Sequence, residues 1–142
     1  DTLQIAKSAF AFPSNSLKYM NKMLGIKQKK ENEGFILWRK CMEGDEESLK
    51  KMDEYCRDDT CAVEDLYYRV RSFAKSHPNL SLYFDTDKKM CPKCGSENII
   101  NYDKYYYTPS GRYDTFRCVD CGSISRNKIN ELDKDKRRSM LV

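Results

Sequence analysis

The chain has 142 residues, 39% apolar and 34% charged, a composition that excludes a membrane-embedded or low-complexity protein and fits one modest folded domain, or part of one with a small module. No run reaches the roughly 18 consecutive apolar residues that a membrane-crossing helix needs, so no membrane partner is expected. The net charge of +4 is unevenly held, since residues 1–87 carry 14 basic against 15 acidic side chains while residues 88–142 carry 12 against 7. A basic module on a near-neutral body suits either a polyanion partner, most simply nucleic acid, or a solvated surface.

The opening Asp1-Thr-Leu-Gln-Ile lacks both an initiator Met and the basic, then apolar, plan of a signal peptide, as if the chain were cut from something longer. Residues 1–12 suit a short helix that Pro13 ends. Ser14-Asn15-Ser16 offers capping oxygens to a second helix, whose face is Leu17, Met20, Met23 and Leu24, with Gly25 as its stop. Residues 26–33 read as a charged loop, where Lys27, Lys29 and Lys30 either touch phosphate or are merely solvated. Gly34 opens a third helix in which Phe35 and Trp38 are expected in the core, and Gly44-Asp45 breaks it.

From Asp45 to about His77 runs the longest periodic segment, with Leu49, Met52, Cys56, Val63, Leu66, Val70 and Phe73 forming one apolar side. Asp59 falls inside that stripe, with Tyr55 one turn earlier on the same face. A carboxylate buried there needs a metal, a cation or several hydrogen bonds. The alternative is a helix break at Asp58-Asp59, with Asp59 capping a new helix. Asp58 points about 100° away on a continuous helix and reads as surface. Cys41, Cys56 and Cys61 have no local His and read as packed thiols. Residues 79–90 read as a linker with a short strand at Leu80–Phe84.

Cys91-Pro-Lys-Cys94 and Cys118-Val-Asp-Cys121, each followed by Gly, have the spacing of a zinc ribbon: two knuckles, each giving two thiolates to one tetrahedral ion. Disulfides are the competing reading, but seven cysteines, an odd number, fit a reducing cytoplasm better. Four thiolates leave no open position, so such a zinc is structural. Strands are expected at Ile99–Thr108, Tyr113–Cys118 and Ser123–Arg126, with a turn at Pro109–Gly111. Tyr105, Tyr107, Lys104, Arg112 and Arg117 are the candidate nucleic-acid contacts, because flat rings stack on bases and cations meet phosphates. Tyr106 and Phe116 fit ribbon core equally well. The charged tail, 128–142, is expected to lack fixed structure.

Tyr55-Cys-Arg-Asp-Asp59 is a Y-x-x-x-D pattern on a helix. With Phe12-Pro-Ser-Asn-Ser-Leu-Lys-Tyr19, Leu24-Gly-Ile26, Gly34-Phe-Ile-Leu-Trp38, Lys51-Met-Asp-Glu-Tyr55, His77-Pro-Asn-Leu80 and the ribbon, in that order, it resembles the C-terminal half of a family of phage-encoded and bacterial RNase H-like 3′–5′ exonucleases. These are DEDD enzymes of the tyrosine subclass, and members tend to end in a zinc ribbon. The resemblance implies the mainly helical part of an α/β domain over residues 1–78, most sheet strands missing, plus a ribbon at 91–127. It implies Asp59 as a Mg²⁺- or Mn²⁺-binding carboxylate and Tyr55 as the residue orienting the attacking water, on DNA with a single-stranded 3′ end. The family's Asp-x-Glu motif and second Asp are not in this sequence, so activity is expected only with an N-terminal half or partner that supplies them. Two further readings stand beside it: a non-catalytic nucleic-acid-binding protein, and a protein-interaction module that docks through the ribbon.

Overall fold

A computed structural model describes residues 1–26 and 33–141. The chain divides into two compact units, Asp1–Ala74 and Lys75–Val142.

The first unit is helical: α1 (Thr2–Ala9), α2 (Leu17–Met23), α3 (Phe35–Met42) and the long α4 (Glu46–Val70), which tightens into a 3₁₀ turn at Arg71–Phe73. Each start has a physical cause. Asp1 accepts hydrogen bonds from the Leu3 and Gln4 amides, and Ser16 from the Tyr19 amide. Asp45 accepts from the Ser48 amide, and hydrogen bonds from Ser48 hold the Asp45 carboxyl below its ordinary value. Gly25, Gly34 and Gly44 turn the chain between helices at positive φ. The helices α1, α2 and α3 each lie against α4. The buried cluster is Ala6, Met20, Ile26, Leu66 and Val70, flanked by Phe10 and Phe12, whose rings stack with centroids 5.1 Å apart.

Two expectations need correction here. Phe35 is 82% exposed and Trp38 58%, so neither is core; α3 buries Leu37 instead. Leu49, Cys56 and Val63 are exposed as well, because the burying face of α4 runs through Ser48, Met52, Tyr55, Asp59, Ala62, Leu66 and Val70. Periodicity marked the helix correctly but set its stripe about one position off. Apolar side chains at neighbouring helical angles compete for the same label, and small residues such as Ala62 carry little apolar weight. The lysines at 27, 29 and 30 lie outside the described residues.

The second unit centres on a three-stranded antiparallel sheet, β1 (Ile99–Thr108), β2 (Gly111–Cys118) and β3 (Ile124–Arg126), in the order β1-β2-β3. Tyr106 pairs with Tyr113 and Thr115 with Arg126. A bulge interrupts β1 between Asn101 and Tyr105, with Asp103 at φ 53°. Leu80–Tyr83 is a 3₁₀ turn, not a strand; Asn79 caps it, and Leu80 donates its amide to the Pro92 carbonyl at 2.9 Å. The stretch read as a linker is thus fastened to the first knuckle. The charged tail also carries structure. The Asn127 and Glu131 amides bond to the Asp114 and Arg112 carbonyls, both at 2.7 Å, and α5 (Lys134–Ser139) follows, capped by Asp133. Its composition hid these anchors, since backbone pairing along a strand needs no apolar side chain.

Candidate metal centre

The two knuckles have the same backbone plan. The Gly95 amide bonds to the Cys91 carbonyl at 2.9 Å, and Gly122 to Cys118 at 3.0 Å. The Cys91 amide returns to the Ser96 carbonyl at 2.8 Å, and Cys118 to Ser123 at 2.9 Å. Gly95 and Gly122 sit at φ 75° and 74°, a conformation costly for any residue with a Cβ, which is why glycine closes each turn. Both knuckles read C-x-x-C-G-S, so this doubling is visible in the sequence.

The turns bring four sulfurs together. Cys91 and Cys121 lie 3.6 Å apart, Cys94 and Cys118 likewise 3.6 Å, and all four sulfurs fall within 4.8 Å of one another. A disulfide requires about 2.05 Å. Four sulfurs at about 2.3 Å from a tetrahedral zinc sit about 3.8 Å from each other. The four cysteines can therefore hold a metal ion such as zinc, and the spacing fits a closed tetrahedron. No disulfide occurs among the described residues.

Hydrogen bonds aim at the sulfurs. The Lys93 amide donates to Cys91 Sγ at 3.4 Å, and backbone amides also reach the other three thiols. The Ser123 hydroxyl lies 3.2 Å from Cys91 Sγ and 3.3 Å from Cys121 Sγ. Burial pushes the Cys94 and Cys118 thiols above their ordinary value. Burial acts the same way on Cys121, but the hydroxyl and amide of Ser123 and the neighbouring thiols outweigh it, leaving Cys121 lowered to about 7. Burial also lowers the Lys93 amine, against the attraction of Cys91 and Cys121. A strap joins the knuckles: Asp120 accepts from the Ser96 hydroxyl and, at 3.1 Å, from the Asn98 side-chain amide, while the Val119 amide bonds to the Asn98 carbonyl at 3.0 Å. Ser96, Asn98, Asp120 and Ser123 were not singled out in the sequence. The repeated Gly-Ser was the available signal.

The remaining candidates separate by strand parity. Arg112 stands opposite Tyr107, and its guanidinium lies 4.6 Å from the Tyr105 ring centroid, so Tyr105, Tyr107 and Arg112 share one sheet face. Arg117, an odd number of residues along β2, belongs to the other face, so the structure does not bring it to Arg112. Lys104 lies in the bulge, with its amine 5.4 Å from the Tyr102 ring. Tyr106 is half exposed and, with Tyr113, lies under Arg126, at 5.6 and 4.2 Å. Phe116 is half-buried beneath the Lys89 amine at 4.4 Å. Arg126 and Lys89 were missed because cation–ring contacts between distant segments leave no local pattern.

In the first unit, α4 is unbroken through Asp59, which removes the capping alternative. Tyr55 and Asp59 are half-buried on the same stripe, and Asp58 is half-buried too rather than plainly surface. Cys56 and Cys61 are exposed, not packed; Cys41 is half-buried. Among the described residues, the four cysteines are the one cluster of three or more metal-capable side chains. No helix among those residues is long and apolar enough to cross a membrane.

No known protein family, curated protein or solved structure matches this chain.

Proposed function

We propose that the chain is the helical and zinc-ribbon part of a metal-dependent 3′–5′ exonuclease, acting in the cytoplasm on DNA with a single-stranded 3′ end. The observation that carries this reading is the placement of Tyr55 and Asp59, half-buried together on the burying stripe of one continuous helix. A half-buried carboxylate on such a face can serve as an oxygen ligand to a divalent Mg²⁺ or Mn²⁺. Two ions about 3.5–4 Å apart need several carboxylates, so Asp59 would be one member of a set completed by other chain segments. Tyr55 would orient the attacking water.

Two further features support it. The exposed Phe35, Ile36, Trp38 and Met42 give α3 the open apolar side that a helical layer presents to a sheet. The ribbon, held by structural zinc, offers Tyr105, Tyr107 and Arg112 as a stacking face for unpaired bases. That stacking face binds a strand without any carboxylate, which supports a second reading, a nucleic-acid-binding protein without catalysis.

The deciding experiment uses zinc-loaded chain and labelled single-stranded DNA with Mg²⁺ or Mn²⁺. Binding without cleavage is expected. Joined to an N-terminal half or partner that carries the Asp-x-Glu motif and the second Asp, the protein should degrade DNA from the 3′ end. Asp59→Asn should then abolish turnover, and Tyr55→Phe should slow it about 100-fold. Cleavage by the chain alone, lost in Asp59→Asn, refutes the split of the site. Full activity of the Asp59→Asn variant in the joined protein refutes the nuclease role of Asp59.

A further inference from the structure

A cavity of about 320 Å³ opens on the second unit, bounded by the capped turn at Asn79–Ser81, the segment entering the first knuckle, and the base of the sheet. Its floor is apolar, made by Met90, Pro92, Ile99 and Phe116. The lysines Lys88, Lys89 and Lys128 stand at its rim, and no carboxylate lines it. Amide and hydroxyl groups, Asn79 and Asn127 among them, fill the remaining wall. The size falls within the range of small-molecule sites.

We propose that this cavity takes one nucleotide unit, with an unpaired base on the apolar floor against Phe116 and its phosphate on Lys89 and Lys128. Each part of the wall selects part of that ligand. A flat apolar floor alone would accept any small hydrophobe, and a cationic rim alone any anion. Together they fit a ring joined to a phosphate, with side-chain amides able to meet the ring's polar edge. Lys88 is already paired with Glu97 at 2.9 Å, and the Arg126 guanidinium lies over the Tyr113 ring on the other sheet face, so Lys89 and Lys128 are the cations to meet phosphate. Lys89 rests on the Phe116 ring and would move aside to clear a stacking surface while staying within reach of the phosphate.

The cavity also lies in line with the tyrosine face. Along β2, Phe116 and Arg112 point the same way, four residues and about 13 Å apart. About four stacked nucleotides, at 3.4 Å each, cover that length. A single strand can thus place one nucleotide in the cavity and lay its neighbours over Arg112, Tyr105 and Tyr107. This inference rests on the ribbon's proposed role in binding nucleic acid and names where the strand is gripped.

The test is fluorescence anisotropy of labelled oligothymidylate with the zinc-loaded chain at several salt concentrations, beside nuclear magnetic resonance titration with thymidine 5′-monophosphate. The variants are Lys89→Ala with Lys128→Ala, Phe116→Leu, and Tyr105→Ala with Arg112→Ala, each checked for zinc content. The lysine pair should weaken oligonucleotide binding at least tenfold and lower the salt slope by about 2. The monophosphate should shift amide signals of Ile99, Phe116 and Asn127. Both lysines are exposed, so they decide the matter should Phe116→Leu fail to fold. Wild-type oligonucleotide binding that the lysine pair leaves unchanged overturns the cavity as the site but leaves the ribbon's role standing. Monophosphate binding there without oligonucleotide binding keeps the cavity as a site for free nucleotide and removes the strand reading. Failure to bind either ligand overturns both.

Discussion

The two units hold themselves together by different means, and the contrast shows what each can tolerate. Residues 1–74 form a helical layer whose buried cluster is small, while several large apolar side chains of α3 face outward. The ribbon has little apolar interior of its own: its fully buried side chains include the thiols of Cys91 and Cys118, with Thr115 and Ser123 beside them. Small domains of this kind need a staple in place of a core. One unit is built on packing, and the other brings four cysteines together where a metal such as zinc can bind, so each should respond to a perturbation that leaves the other alone.

Metal removal should give the largest effect. Structural zinc sites contribute about 10–16 kcal/mol in small peptides, more than a ribbon of this size can supply by burial. A strong chelator, or Cys118→Ser, should collapse the dispersed resonances of residues 91–126 while the helical circular dichroism of the first unit persists. A ribbon that stays dispersed without metal shows that the staple is not needed. The converse comes from Leu66→Ala, which truncates a side chain with no exposure. It should destabilise the helical unit by about 2–5 kcal/mol, read by chemical denaturation, and leave zinc content unchanged.

Acid should separate the units more gently. In the metal-free fold Cys121 is lowered from 9.0 to about 7, so its contribution is complete above its ordinary value and fades as pH falls through about 7. Cys94 and Cys118 are raised, so they favour the metal-free fold below the ordinary thiol value and oppose it as pH rises further. Metal reverses that preference, because it must displace their protons. Zinc affinity, measured by competition with a chromophoric chelator, should fall from about pH 8 to about pH 6 by roughly tenfold per pH unit for each proton displaced. A flat profile over that window means the thiols are already ionised before metal arrives.

The finest comparison is internal to the ribbon. Gly95→Ala and Gly122→Ala both place a Cβ at positive φ, at a cost of about 1–2 kcal/mol each. At Gly95 the new carbon would also meet the Phe84 ring at 3.0 Å, whereas nothing lies within 4 Å at Gly122. Gly95→Ala should thus be the more damaging in zinc-retention assays. Adding Phe84→Ala should bring the two variants level.

The sequence by itself determined what local chemistry can write. Gly25 and the oxygens of Ser16 and Asp45 place helix ends, because caps and breakers act over three or four residues, whereas α1 stops at Ala9, short of the end expected at Pro13. The repeated C-x-x-C-G fixes the metal-capable centre, since the turn that aims two thiols together is itself local. Tertiary structure decided the rest. Which side of α4 is buried depends on the three helices that lie against it, so Tyr55 and Ala62 took the places expected for Cys56 and Val63. The pairing of Lys89 with Phe116 and of Arg126 with Tyr113, the anchoring of Leu80 on Pro92, and the pinning of the tail by Asn127 and Glu131 join segments 12 to 27 residues apart. Contacts over such separations follow from how the backbone closes on itself, and no window of neighbouring residues contains that information.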